Sequence, residues 1–140
     1  MFVVLDTNHF TEIIRESEAG RKLTSHLIEK EADVFVSIIT AQESFEGWLA
    51  VIKSQPPGPE QVKGYSQFRR SIETLGKFTL LDFDLEAAEG FTMLRKLLPR
   101  LGTMDIKIAA ISLTHDCLLL TRNLRDFNQV PGLRVENWLD

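Results

Sequence analysis

Four short runs of mainly apolar residues recur along the chain, and they constrain its fold more than any other feature. They occupy Phe2–Leu5, 34–39, 78–83 and 117–121. The first shows no alternation of apolar and polar residues, which is typical of a strand covered on both faces. Longer segments with apolar residues at helical spacing separate the runs. This alternation predicts an α/β protein in which a mainly parallel sheet has helices on both faces.

Periodicity and composition also predict the helices and loops between these runs. Helices are expected over residues 8–16, 21–31, 40–53, 60–75, 84–98 and from 103 onward. A turn is expected at 17–20, and loops at 54–59, 99–102 and 122–132. Residues 133–138 could add a short edge strand, giving a sheet of four or five strands. A chain of 140 residues can bury a real core, and residues 1–140 are predicted to form a single domain.

Charge and cysteine content exclude several classes of protein. The formal net charge is −4, which argues against nucleic-acid binding through bulk charge but allows local basic patches. Cys117 is the only cysteine, so an internal disulfide and a cysteine-rich zinc site are excluded. No apolar run is long enough to cross a membrane, and the first residues lack signal-peptide features. We therefore expect a cytoplasmic protein with Cys117 buried in its core.

Acidic side chains fall where the predicted strands end or the returning helices begin. Asp6 follows the first strand directly, and Glu43 lies in the first turn after the second strand. Asp105 opens the helix before the fourth strand, and Asn123 with Asp126 follows that strand. Parallel strands end at one edge of a sheet, where returning helices also begin, so we expect these groups to converge. Oxygen ligands without nearby His or Cys favour Mg²⁺ or Mn²⁺ over zinc.

Asp6 also has a purely structural interpretation, as the cap of the helix that follows it. Taken alone, this stretch favours the cap, since acids are common at helix starts. The three further acids at the same predicted edge, together with the match of their order to a known family, reverse that preference. We therefore expect Asp6 to be a metal ligand, with Thr7 or Asn8 as the helix cap.

The other acids have structural interpretations of their own. Thr40 and Glu43 have the spacing of a capping box. Thr103 could cap the helix that contains Asp105, where the helix dipole favours an acid. Asp126 could simply form a turn. These interpretations do not explain why the acids fall at one edge, where their repulsion costs stability unless a cation or a shared proton offsets it.

The order of these groups resembles that of the PIN domain family. The matching residues are Leu5-Asp6-Thr7-Asn8, Glu43 with Gly47 four residues on, Asp105, and Thr121-Arg-Asn-x-x-Asp126-Phe. The segment 120–138, LTRNLRDFNQVPGLRVENW, looks especially like the C-terminal part of VapC-type toxins. The resemblance covers the whole chain in length and motif order. It implies a Rossmann-like three-layer sandwich.

The resemblance also implies a ribonuclease that depends on Mg²⁺ or Mn²⁺. The catalytic and metal-binding acids of the family carry over to Asp6, Glu43 and Asp105. At the fourth position, where many members have an acid, this chain has Asn123, and Asp126 is the nearest carboxylate. Hydrolysis of RNA by water would leave a 5′-phosphate and a 3′-hydroxyl.

Other residues are expected to support this chemistry. Three polar side chains would orient the carboxylates, namely Thr7, Asn8 and Thr121. Arg122, Arg125 and Arg100 are the expected phosphate contacts. His9, His26 and His115 lack metal-ligand spacing and are expected at the surface or at helix caps.

The resemblance implies protein partners as well as RNA. VapC-like toxins cut RNA, usually tRNA or rRNA, until a cognate antitoxin occludes the site, and they typically form homodimers. The aromatic residues of two helices, Phe45, Trp48, Tyr65 and Phe68, are ordinary core at their spacing but could border a groove for an antitoxin helix. The alternative to a toxin ribonuclease is a catalytically weak PIN-like module that binds RNA or a partner. This alternative stays open because the chain has Asn123 where many members of the family have an acid.

Overall fold

Five parallel strands form the central sheet of the computed structural model, which describes residues 1–140. They are β1 (Phe2–Leu5), β2 (Asp33–Ser37), β3 (Thr79–Leu81), β4 (Leu118–Leu120) and β5 (Val135–Glu136). Their spatial order is β3-β2-β1-β4-β5, with every neighbouring pair parallel. The connection direction reverses at β1, so the carboxyl ends of β1 and its neighbours border the crevice where such sheets bind ligands.

Helices cover both faces of this sheet. They are α1 (Thr7–Arg15), α2 (Glu18–Glu29), α3 (Ile38–Lys53), α4 (Val62–Leu75), α5 (Leu85–Leu97), α6 (Thr103–Thr114) and α7 (Leu124–Phe127), with a 3-10 turn at Pro59–Gln61. Val3 and Leu5 of β1 pack with α1, α2 and the end of α4, whereas Val4 packs with α5 and α6. The α/β three-layer sandwich predicted from the sequence is confirmed, as is the burial of Cys117. No helix has the length and apolar character needed to span a bilayer.

The connection between α1 and α2 differs from the turn predicted at 17–20. Ser17 caps α2, and its Oγ accepts a hydrogen bond from the Gly20 amide at 3.0 Å. A Cβ at Gly20 would overlap the Glu12 carbonyl of α1. This glycine is therefore required by the close approach of two helices, although the sequence pattern was interpreted as a turn signal.

The start of α3 also differs from the prediction. Ile38 and Ile39 belong to the helix rather than to β2, and Ser37 caps it by accepting the Thr40 amide at 3.1 Å. Thr40 therefore does not open the helix. A short helix, α7, interrupts the predicted loop at 122–132. The edge strand expected within 133–138 is present as β5.

The C-terminal segment packs across α1 and α2. His9 is fully buried, and its Nε2 accepts the backbone N–H of Trp138 at 3.2 Å. The Trp138 ring stacks on His26 with 4.3 Å between the ring centroids. The expectation that His9 lies at the surface or caps a helix is wrong, because His9 instead fixes the end of the chain.

We expect His9→Gln to abolish part of the pH dependence of folding stability. The pKa of His9 is lowered to about 4, mainly by burial and also by the Arg122 charge, with the Asp140 charge opposing the shift. As the pH falls, the unfolded chain therefore takes up the proton before the folded protein does. The free energy of unfolding decreases by up to about 3 kcal/mol between pH 6.5 and about 4. Gln can still accept the Trp138 amide but does not titrate.

Urea denaturation of both proteins across this pH range tests the prediction. The difference in unfolding free energy between wild type and His9→Gln should change with pH below about 6.5 and be constant above it. A difference that does not vary with pH would contradict a neutral, buried His9.

Candidate acidic site

The structure places the predicted acids around the carboxyl end of β1. Asp6 follows β1 directly, and Asp105 lies in the first turn of α6. Burial, and after it the charges of Asp6, Glu43 and Asp126, together raise the pKa of Asp105 to about 6. Four segments far apart in sequence thus bring negative charge to one edge of the sheet.

Asp6 is the most buried of these acids and is held by two hydrogen bonds. Its side chain is 7% exposed, its Oδ1 accepts the Thr7 amide at 2.8 Å, and its Oδ2 accepts the Thr121 hydroxyl at 2.8 Å. Burial raises the pKa of Asp6, and the hydrogen bonds from Thr121 and Thr7 partly offset that rise. Asp6 itself caps α1, so the expectation that Thr7 or Asn8 provides the cap is wrong. Each carboxylate oxygen keeps acceptor capacity beyond its one hydrogen bond.

Glu43 is positioned by α1 rather than by its own helix. Its Oε1 accepts the Thr7 hydroxyl at 2.7 Å, and that hydroxyl also lies 3.4 Å from the Thr40 Oγ1. Burial raises the pKa of Glu43, the Thr7 hydrogen bond lowers it, and the Asp6 charge raises it. The capping-box interpretation is wrong, because Ser37 satisfies the Thr40 amide and Glu43 extends across to the neighbouring helix.

Asn123 and Asp126 form a connected pair after β4. Asn123 Nδ2 donates to Asp126 Oδ2 at 3.0 Å, while its backbone N–H donates to the Thr121 hydroxyl at 3.0 Å. The negative charge of Asp126 contributes to the raised pKa of Asp105, so Asp126 adds to the electrostatic potential of the site. The Thr121 hydroxyl therefore links the Asn123 backbone to Asp6.

The helix that contains Asp105 does not begin with the cap expected from the sequence. The N-cap of α6 is Gly102, and no side chain caps this helix, so the interpretation of Thr103 as the cap is wrong. A Cβ at Gly102 would lie 3.6 Å from Asp105 Oδ2. The half-buried Asp105 carboxylate is thus close to the α6 N-terminus, whose dipole stabilises an anion.

The oxygen atoms of these side chains are ligands of the type that a hard divalent cation prefers, although the side chains are not arranged around a single ion position. The acids offer only oxygen ligands. Burial raises the pKa of Asp6, and burial together with the charges of neighbouring acids raises the pKa of Glu43 and of Asp105. Such a site lacks positive charge, which Mg²⁺ or Mn²⁺ would supply. No three of its carboxylates are close enough to hold one ion in the conformation described. A shared ion would therefore require side-chain movement or intervening waters, which Mg²⁺ commonly retains.

The predicted phosphate contacts differ in how free they are. Arg122 lies near two acids, with its Nη1 3.8 Å from Glu12 Oε1 and its Nε 3.4 Å from Asp140 Oδ2. Arg100 and Arg125 are exposed and form no ion pair. The structure therefore leaves Arg100 and Arg125 available to an anionic ligand, whereas Arg122 connects the C-terminus to α1.

Of the residues beside the acids, Thr11 and Arg15 were not identified from the sequence, whereas Trp48 was expected in the core or at a groove for a partner helix. A pocket of about 390 Å³ adjoins Glu43 and Thr7, and further lining residues include Thr11, Arg15 and Trp48. Thr7, Thr11 and Arg15 recur every four residues along α1. This spacing was the available signal, but it identifies a groove only when the facing helix is known.

The fold and the site together define a Rossmann-like α/β protein with an acidic, partly buried cluster at the carboxyl edge of its sheet. The PIN domain family model matches residues 3–133. The chain belongs to the PIN domain family.

Curated relatives match either nearly all or slightly less than half of the chain, and solved structures superpose over nearly its whole length. Ribonuclease VapC2 of Haemophilus influenzae is 29% identical, over 97% of this chain and 97% of that protein. The tRNA(fMet)-specific endonuclease VapC of Salmonella typhimurium is 34% identical, over 46% of this chain and 52% of that protein. VapBC2 from Rickettsia felis, crystallised with a promoter DNA fragment, superposes with a TM-score of 0.78 at 22% identity and 99% coverage of both chains. The last comparison shows a shared fold.

Proposed function

We propose that the protein is a metal-dependent endoribonuclease and the toxin of a VapBC-type toxin–antitoxin pair. The observation that carries the proposal is the convergence of Asp6, Glu43 and Asp105, whose pKa values are all raised at one edge of the sheet. Perturbed acids in a crevice are typical of functional sites. The likeness to relatives named ribonucleases supports RNA as the substrate class.

In this proposal, Asp6, Glu43 and Asp105 hold Mg²⁺ or Mn²⁺, and Asp126 with Asn123 completes the acidic edge. Such an ion supplies Lewis acidity and activates water for in-line hydrolysis of a phosphodiester. Thr7 and Thr121 fix the carboxylate oxygens of Glu43 and Asp6 through hydrogen bonds of 2.7 and 2.8 Å. Asn8, exposed at the start of α1, would contact substrate or an outer water.

Substrate and partners follow from the same proposal. Arg125 and Arg100, with Arg122, would contact RNA phosphates beside the acids. A tRNA or rRNA substrate places the activity in the cytoplasm, and the likeness to VapBC complexes supports an antitoxin partner. We further propose that the toxin is a homodimer.

Cleavage of RNA by the purified protein tests the proposal. We expect cutting with Mg²⁺ or Mn²⁺, none with EDTA, and products with 5′-phosphate and 3′-hydroxyl ends. Cyclic phosphate ends would indicate attack by the RNA 2′-hydroxyl and would contradict the water mechanism. Cleavage that persists in EDTA would exclude a metal-dependent enzyme.

Two observations favour a second function, a PIN-like module that binds RNA or a partner without efficient cleavage. No three acids stand close enough to hold an ion in the conformation described, and an amide occupies position 123. Under this alternative, the protein would bind RNA in EDTA and in Mg²⁺ without cutting it. Its expression would then not arrest growth.

Thr121→Val tests the role of the buried hydroxyl that links Asp6 to Asn123. The substitution nearly preserves shape but removes the donor to Asp6 Oδ2 and the acceptor for the Asn123 amide. Loss of an outer hydrogen-bonding partner of a metal ligand typically costs about 10- to 100-fold in activity or metal affinity. We expect a loss of this size in cleavage rates measured across a Mg²⁺ titration. Thr114→Val, which removes only a hydroxyl bonded to a helix carbonyl, is the matched control. Equal rates for both variants would contradict the role given to Thr121.

A further inference from the structure

A groove runs from the acidic site along the facing sides of α1 and α3. Thr7, Thr11 and Arg15 line it from α1 at four-residue intervals. Glu43 and Gly47 line it from α3 at the same interval. Because Thr7 and Glu43 are also hydrogen-bonded to each other at the acidic edge, the groove and the acidic site are continuous.

Gly47 is not explained by the fold of the chain itself. It lies inside α3, where a glycine makes the helix less stable than an alanine would, because a glycine loses more backbone freedom when the chain folds. A Cβ at this position would meet nothing within 4 Å. By contrast, a Cβ at Gly20 would overlap α1. The missing side chain at Gly47 therefore leaves open space in the groove without serving any contact within the protein.

The outer end of the groove has the chemistry of a base-stacking platform. Trp48 is half-buried, and the guanidinium of Arg15 lies 5.9 Å from the centroid of its ring. Arg15 forms no ion pair with an acid. Indole rings and guanidinium planes are the surfaces on which unpaired bases stack, and Arg can also contact a phosphate.

We propose that the groove between α1 and α3 binds the single-stranded RNA beside the bond to be cleaved, with a base stacked on Trp48 and Arg15. The proposal rests on the proposed ribonuclease function and adds a binding subsite to it. Gly47 lets the strand pass between the platform and Glu43. The pocket volume of about 390 Å³ falls in the range of small-ligand sites, which suits one nucleotide.

The lining favours RNA over a protein helix as the occupant. Two of its eleven residues are hydrophobic, whereas a groove for an amphipathic helix is lined by apolar side chains. The groove also ends at the acids that would hold the catalytic metal. A strand that occupies it is therefore led to the reacting site.

Binding of a short, fluorescein-labelled single-stranded RNA of mixed sequence tests the proposal without depending on catalysis. All proteins carry Asp6→Asn and are measured in EDTA by fluorescence anisotropy. We expect Gly47→Gln and Trp48→Leu each to weaken binding by about ten- to a hundredfold, the range for loss of one stacked base. The matched control is Ala50→Gln, an exposed position on α3 that does not line the groove.

Thermal unfolding distinguishes a blocked groove from a damaged fold. Gly47→Gln should keep or raise the thermal midpoint, since it removes a helical glycine without a clash. If Gly47→Gln and Trp48→Leu bind RNA as tightly as Ala50→Gln, the proposal is overturned. It is also overturned if these variants lose only the ability to be inhibited by a co-expressed antitoxin, because the groove then belongs to the protein partner.

Steady-state kinetics with Asp6 restored separate this proposal from the proposed function. A raised KM with little change in kcat in Gly47→Gln supports the subsite. If the wild-type protein binds RNA through the groove but does not cut it, the ribonuclease proposal is contradicted while the binding-subsite proposal is supported. Cleavage with the same KM in wild type and Gly47→Gln would keep the function and overturn the subsite.

Discussion

Asp6→Asn is expected to lower the rate of RNA cleavage by at least about a thousandfold, because a metal ion contributes several kcal/mol of transition-state stabilisation. Asp6 is the most buried of the acids and extends from the end of the central strand β1. The substitution removes one negative charge and one metal ligand while keeping the shape of the side chain. The measurement is single-turnover cleavage of RNA in saturating Mg²⁺.

The fold of Asp6→Asn should be intact, so lost activity cannot be attributed to unfolding. Asn is as good a helix cap as Asp and can still accept the Thr7 amide. The burial that raises the pKa of Asp6 also means that a neutral side chain is less costly there. Asp33→Asn, at the exposed opposite end of the neighbouring strand, is the matched control and should cut normally. Retention of more than about a tenth of wild-type activity by Asp6→Asn would contradict the role of Asp6 as a metal ligand.

Asp105→Asn is expected to stabilise the metal-free protein at neutral pH while abolishing cleavage. Burial and the charges of Asp6 and Glu43 raise the pKa of Asp105 from its usual 3.8 to about 6. The folded protein therefore binds this proton more tightly than the unfolded chain does, and stability falls as the pH rises through this range. The ionised side chain is half-exposed, so solvent screening reduces the effect to about 1 kcal/mol.

Thermal unfolding in EDTA and in Mg²⁺ measures this effect. In EDTA at neutral pH, Asp105→Asn should melt about 3–5 °C above wild type, and the difference should vanish at low pH where Asp105 is protonated. Mg²⁺ at a hundredfold excess over its Kd should stabilise wild type by about 2.7 kcal/mol and the variant by less. Equal responses of both proteins to Mg²⁺ would contradict metal binding by Asp105.

The strands were predictable because their burial leaves a direct mark on the sequence. β1 and β4 are covered on both faces, so apolar residues run through them without alternation, and both were found at nearly their observed bounds. Helix starts were predicted less well. Ser37 and Thr40 are both good capping residues, and only the path of the chain after β2 selects Ser37.

The acids of the site were predictable individually, but their hydrogen bonds were not. In a parallel sheet, groups just after β1 and β2 share an edge with the start of α6, the helix that returns to β4, so Asp6, Glu43 and Asp105 were expected to lie together. That Thr7 of α1 holds Glu43 of α3 depends on the relative placement of two helices. Position in the chain carries no information about such a contact across 36 residues.

The sequence by itself determined the layered α/β fold and the edge at which its acids converge. The reason is that buried strands, amphipathic helices and their alternation along the chain can all be recognised from short segments. The tertiary structure alone decided how the opening stretch is used. It shows that Asp6 both caps α1 and enters the acidic site, and that His9 is buried beneath the C-terminal segment. It also shows that Gly47 faces open groove space rather than another helix. The reason is physical: burial, pKa and empty space depend on atoms brought together from distant parts of the chain.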